Sequence, residues 1–318
     1  MRSIPHSPLE RRGPRRAPPG LRARLFPLTW VVGRRGGSAI TVVEASQSLF
    51  KFPTLVVRHR DLIRTLVVRE LKARYLGSSF GAVWAILNPL IMLAVYTFVF
   101  SGVLKIRFQE SADPLMNAFN LFCGMVAWNS FAESLHRCTM TVIENANLIK
   151  KTAFPSMILP VSVALFTFVN EIICLTLLVL ALAVFQGEFH WTIVLFPLLA
   201  AVKLLFTVGF GYLFAAVNVF VRDFVHLIGL LITLWMFLTP VFYPVSAVKD
   251  FLDKNPKVLF LYQLNPMTHV ISAYRAIFIE GRVPDLSGAM IFLGVTAVVF
   301  TVGYLLFVTS SHRFADEI

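Results

Sequence analysis

Five cations in one short stretch are the residues best suited to chemistry. Arg60, Arg64, Arg69, Lys72 and Arg74 stand in RDLIRTLVVRELKAR. Guanidinium and ammonium groups at that density suit phosphate or pyrophosphate oxygens, which they meet through charge-assisted hydrogen bonds. At about 100° per residue, Leu62, Ile63, Leu66, Val67 and Leu71 share one half of a helix wheel. Asp61, Arg69 and Lys72 lie opposite and Arg64 at the edge. Glu70 interrupts the apolar half, with Arg74 four residues on in the favourable order. Such a helix lies in a membrane surface with its cations on the headgroups. On charge alone it reads equally well as an ordinary juxtamembrane anchor.

A second pair stands apart. Glu171 and Lys203 each interrupt a long apolar run, where an unmatched charge costs roughly 2.5–3.5 kcal/mol on insertion scales. The two runs are consecutive and joined by a short turn around Gln186–His190. At about 1.5 Å per residue the two charges lie about 21 and 18 Å below the same ends, so an ion pair between them is expected. The alternative is a Lys203 that snorkels and a Glu171 that is protonated, or bonded to Asn170 or another neighbour. A proton relay is disfavoured, because no third ionisable residue continues the path.

Catalytic chemistry finds little support. A Gly-x-x-x-x-Gly-Lys loop for ATP phosphates is absent, the histidines are dispersed, and no carboxylate pair suits acid/base work. Cys123, Cys138 and Cys174 fall in no metal or redox spacing and read as packing residues. The chain is therefore expected to be no enzyme and to hold no metal.

The elements that position these residues are membrane spans. Of 318 residues, 57% are hydrophobic and 14% charged, which no soluble domain of this length resembles. The net charge of +12 does not point to nucleic acid. Nine arginines against Glu10 and Glu44 place +7 of it in the first 50 residues. Residues 1–48, rich in Arg, Pro and Gly, read as a disordered tail without a secretory signal. Residues 49–82 form the amphipathic surface segment, and 83–318 a body of six spans at about 20 residues per crossing. The spans are placed at Val83–Leu104, Met116–Leu135, Ile158–Phe185, Trp191–Phe220, His226–Val245 and Leu286–Val308. The fold class is thus an all-α membrane protein. Between spans five and six, residues 247–283 hold apolar pieces too short to cross, broken at Pro256 and Pro266. They are expected to be re-entrant helices capping the outer side. The excess of Lys and Arg, including Lys51, Arg137, Lys150, Lys151, Arg222 and Arg313, puts both termini in the cytosol.

RDLIRTLVVRELKARYLGSSFGAVWAILNPL (60–90), VFVRDF (219–224) with Arg222 and Asp223, LNPMTHVISAYR (264–275) and HRFADEI (312–318) occur in that order. Together they resemble the type-2 ABC export permeases that move bacterial surface polysaccharides: O-antigen, capsular polysaccharide and teichoic acid. The resemblance covers roughly Phe50 to Ile318, and the Arg-rich tail departs from it. It implies a homodimeric pore in the bacterial inner membrane, docked on two copies of a separate ATP-binding subunit. That partner would hold the ATP and magnesium. The cargo would be a polysaccharide, with a lipid-linked end meeting the Arg60–Arg74 helix. The segment Arg137–Pro155 reads on composition alone as a solvated loop. The resemblance makes it the coupling helix, with Glu144, Asn145, Asn147, Lys150 and Lys151 against the ATPase.

The resemblance further implies that some pore aromatics stack on sugar faces. The candidates are Trp84, Tyr96, Trp128 and Tyr212, with Trp235, Tyr243 and Tyr274, and no more than about half are expected in the pore. Near the membrane interfaces the same residues are ordinary belt residues. Two other functions compete with polysaccharide export. One is a type-2 ABC exporter of a drug or small lipid. The other is a membrane-embedded glycosyltransferase or ligase, for which Asp250, Asp253 and Asp285 are a thin supply of acids.

Overall fold

A computed structural model describes residues 49, 51–75, 81–103, 108, 114–151, 154–187, 189–245, 248 and 253–318. The N-terminal tail, residues 1–48, lies outside them. Among the described residues the chain is helical and carries no strand. In order the helices are α1 Phe52–Arg58, α2 Arg60–Tyr75, α3 Trp84–Tyr96, α4 Pro114–Glu144, α5 Ala146–Lys151 and α6 Ile158–Phe185. They continue with α7 Phe196–Phe220, α8 Phe224–Leu238, α9 Pro256–Leu264, α10 Pro266–Phe278, α11 Leu286–Ser311 and α12 Phe314–Glu317.

Three stretches are long and apolar enough to cross a membrane: Ile158–Phe185, Trp191–Phe220 and Leu286–Ser311. The other expected spans differ in instructive ways. α3 carries Pro89 inside it, which removes one backbone donor, and the chain continues in π-type turns over Thr97–Val103. α8 has only 15 residues, ending where Thr239–Pro240 stops it rather than at Val245. α4 is the largest departure. It runs 31 residues, well beyond Leu135 to Glu144, and packs on α3, α6, α7, α8 and α10. A helix so covered by protein can carry Asn117, Asn120, Ser130, Glu133 and Arg137, which a lipid-facing helix could not.

Two clusters of buried side chains define the interior. One gathers Phe52, Ile63, Leu66, Val142, Ile158, Val219, Phe307 and Phe314. It therefore places α1, α2, the end of α4, the start of α6, the end of α7 and the C-terminus at one end of the bundle. At the other end Thr192 donates 2.7 Å to the Ile277 carbonyl, and a His190 ring nitrogen lies 3.1 Å from that of Ile279. The turn between α6 and α7 thus grips the end of α10. Gly281 completes that corner. Its φ is +61°, and an added Cβ would fall 2.5 Å from His190 Nδ1, so a side chain fails there on both counts.

The α7–α11 contact is the closest in the bundle. A Cβ on Gly303 would sit 2.0 Å from the Gly209 carbonyl oxygen, and one on Gly209 would sit 2.7 Å from Phe300 Cα. Two backbones touch there without side chains between them.

The short helices begin where proline directs them. α9 and α10 have 9 and 13 residues and start at Pro256 and Pro266, where a missing N–H costs nothing. The Asn265 side chain caps α10 by accepting from Met267 N at 3.1 Å. α11 begins the same way, Asp285 accepting from Gly288 N at 3.0 Å. The Ser287 hydroxyl and that amide hold the Asp285 carboxyl below the usual range.

Candidate functional site

The structure brings Glu171 and Lys203 together. Lys203 Nζ lies 2.6 Å from Glu171 Oε1, with 3% and 1% of the two side chains exposed. The carboxylate accepts two further donors: Ser130 Oγ of α4, 2.7 Å from Oε2, and the Tyr274 hydroxyl of α10 on Oε1. The Lys203 ammonium also sits 5.3 Å from the centre of the Tyr274 ring. Four helices therefore meet on one carboxylate. A buried pair satisfied this fully is held together, whereas a single survivor would be costly.

Next to Tyr274 on α10, Arg275 is 6% exposed. Its guanidinium donates to the carbonyls of Pro240 and Val241 at 2.9 Å each and of Asn120 at 3.2 Å. Phe108 lies 4.6 Å beneath it. Asn265 at the start of α10 grips the same region. It donates to Thr239 Oγ1 at 2.9 Å and accepts from Trp235 Nε1 at 3.0 Å. The LNPMTHVISAYR motif thus fastens α10 at both ends onto the end of α8 and the Thr239–Val241 turn that follows it.

At the opposite end, α2 packs its apolar side on protein. Ile63 and Leu66 are buried, and Leu62, Val67 and Leu71 half-buried, largely against α6. Arg60, Arg64, Arg69, Lys72 and Arg74 are exposed. Asp61, Arg64, Thr65, Val68, Arg69 and Lys72 form one exposed stripe along the helix. The expected Glu70–Arg74 pairing within the helix is replaced by partners from α4. Arg74 Nη1 donates 2.7 Å to Glu133, and Arg137 Nη1 donates 3.1 Å to Glu70. Arg137 Nε lies 3.6 Å from Glu133, and its guanidinium stacks 4.5 Å from the Phe166 ring. At the last residue of α2, Tyr75 donates 3.0 Å to Asn170 Oδ1. Burial raises the Tyr75 pKa, against the opposing pull of Arg74, so the phenol remains a donor.

The remaining sequence candidates divide by burial. Trp128, Tyr212 and Tyr274 are 1%, 0% and 0% exposed. They are buried in the core of the chain itself. Trp128 packs edge-on against Phe131 and Trp235, and Tyr212 donates 2.8 Å to the Met157 carbonyl. Trp84, Tyr96, Trp235 and Tyr243 stay half-buried. Glu144, Asn147 and Lys150 are exposed around a helix break at Asn145, whose amide donates 2.8 Å back to Thr141 O. Lys150 donates to the carbonyl of Ile318, so this break and the C-terminus are one surface. Lys151 closes α5, and its side chain lies outside the description. Arg222 and Asp223 are both exposed in the turn between α7 and α8. Asp250 lies outside the described residues.

Sequence reasoning missed Ser130, Glu133, Asn120 and the role of Arg275. The spacing of Ser130, Glu133 and Arg137 was a legible signal. Steps of three and four put polar groups on one face of an otherwise apolar helix, where they need partners. No group of three or more metal-binding side chains occurs among the described residues.

The ABC-2 type transporter family matches residues 61–279, the span from α2 through the end of α10. The chain belongs to that family. The transporter is 35% identical over 262 residues to the O-antigen export system permease protein RfbA of Myxococcus xanthus, covering 82% of this chain and 96% of that protein. It is 28% identical over 261 residues to the Klebsiella pneumoniae protein of the same name, covering 80% and 94%. Both similarities cover more of this chain than the family match does.

Proposed function

We propose that the transporter is the membrane permease subunit of an ATP-driven exporter that moves a lipid-linked polysaccharide out of the cytosol. The observation that carries this reading is similarity over 96% of a protein named as an O-antigen export permease. In this reading six crossings form each subunit, with α3, α4 and α8 completing the three long apolar helices. Two copies enclose the conduit, since a hydrated polymer needs a wider path than one bundle offers. The end bearing α2 and both termini faces the cytosol of a bacterial inner membrane, by its excess of cations. There α2 lies along the membrane surface, and Arg64, Arg69 and Lys72 meet the anionic end of the cargo on its exposed face.

ATP and magnesium belong to a separate ATP-binding subunit, present in two copies. Glu144, Asn145, Asn147, Lys150 and Lys151 form its contact, with Arg222 and Asp223 beside them. At the outer side α9 and α10 cap the conduit as re-entrant helices. Trp84, Tyr96, Trp235 and Tyr243 remain available to stack on sugar faces.

The test is loss of this chain in its own cell, with surface and cytosolic polysaccharide measured separately. Polymer should collect inside and return to the surface on complementation. Undiminished surface polymer would remove the reading.

A further inference from the structure

We propose that Glu171 is a positioning residue that ties helix α2 at one end of the bundle to helix α10 at the other. Lifting α2 from α4 and α6 then loosens α10. The contacts form an unbroken series. Arg74 is held by Glu133 at 2.7 Å, and Glu133 stands one turn of α4 from Ser130, which donates 2.7 Å to Glu171. Tyr75 is held at 3.0 Å by Asn170, the residue before Glu171 on α6. A stiff helix carries a shift at Asn170 directly into Glu171. From there the Tyr274 hydroxyl is bonded to the same carboxylate, and the next residue, Arg275, holds the carbonyls of Pro240 and Val241 in the turn that follows α8.

Such a series transmits because its centre and its α10 end are buried while its α2 end is not. Arg74 and Glu133 are about a third exposed, so water replaces either partner at little cost. Glu171 and Lys203 have no water to turn to. When one donor is displaced the others must re-form around the carboxylate, so the group rearranges as a unit. Tyr274 is the arm by which α10 belongs to that unit. The proposal concerns coupling within the chain and does not depend on the cargo. It stands even if surface polymer is indifferent to the loss of this protein.

A double-mutant cycle on the full-length chain in lipid nanodiscs tests it, with amide hydrogen exchange read separately in α10 and α11. Arg74→Gln with Tyr75→Phe removes the two α2 contacts of that series, and Tyr274→Phe removes the arm. The α2 variant should speed exchange in α10 by about threefold or more, the size of an interaction energy between coupled neighbours, with α11 unchanged. In the Tyr274→Phe background the same α2 changes should add nothing further in α10. Unchanged α10 exchange, equal acceleration of α10 and α11, or simple addition of the two effects would each overturn the proposal. Should the α2 double variant fail to assemble, Tyr75→Phe alone, which removes one oxygen, reads the same cycle.

Discussion

Lys203 and Glu171, on the consecutive helices α7 and α6, stand 2.6 Å apart with almost none of either side chain exposed. Removing one partner strands the other. Lys203→Met or Glu171→Gln alone should destabilise the chain by about 3–5 kcal/mol, whereas the double variant should lie much nearer the parent. Thermal unfolding in one detergent, compared across all four proteins, measures this. A double variant as unstable as the sum of the singles would refute a specific pair.

Gly303 gives a steric test that involves no charge. Gly303→Ala would press a methyl to 2.0 Å from the Gly209 carbonyl oxygen, and backbone cannot yield as a side chain can. A loss at or above the usual 1–3 kcal/mol of overpacking is expected. Gly294→Ala on the same helix meets nothing within 4 Å. It should be neutral or gain up to about 1 kcal/mol from helix propensity. Equal behaviour of the two variants in unfolding would disprove the close approach.

Arg275 and Gly124 should share a phenotype. Arg275→Lys keeps the charge but lacks the fork that reaches the carbonyls of Pro240, Val241 and Asn120. Gly124→Ala would put a methyl 2.9 Å from Arg275 Nη2 and push the guanidinium aside. Both variants should make α10 more susceptible to limited proteolysis while leaving α7 and α11 protected. Protection of α10 equal to that of the parent in both would show that the clamp is dispensable.

The exposed cations of α2 are tested by charge reversal. Arg64, Arg69 and Lys72 all changed to Glu should abolish export, while the protein still accumulates in the membrane and binds its ATPase. These residues are exposed, so folding should tolerate the change. Normal export by that variant would remove α2 from the transport path.

Cysteine labelling tests the orientation. Asp253→Cys and Arg282→Cys lie on either side of α9 and α10 and are exposed. Both should react with an impermeant reagent added outside intact cells. Labelling from the cytosolic side alone would invert the bundle.

What the sequence disclosed, and what it hid, follows from the range of each interaction. The depth match of Glu171 and Lys203 is simple geometry along two consecutive helices. Pro256 and Pro266 mark helix starts by local backbone chemistry. The wheel over Arg60–Arg74 separates the side chains that pack from those that stay exposed. It fails for Glu70, whose partners are Arg137 of α4 and the adjacent Arg69 and not the neighbour four residues on. Partners from another helix are chosen by packing, which no local period records. The same holds for Trp128, Tyr212 and Tyr274. A tyrosine with a satisfied hydroxyl in the core is spelled no differently from one that lines a channel. The central position of α4 was hidden for a related reason, since its polar residues lower its apparent fitness to cross while its neighbours shelter them.

The contact of α7 with α11 at Gly209 and Gly303 limits how this machine can move. Helices separated by side chains slide by swapping rotamers, and some ratchet a full turn past each other. Here an oxygen of one chain segment occupies the notch left by a missing side chain in the other. Axial travel would drive that oxygen into the adjoining residues, Phe300 among them. These two helices can therefore only travel as one stiff keel. Any stroke of the bundle is then a swing of the other helices about it.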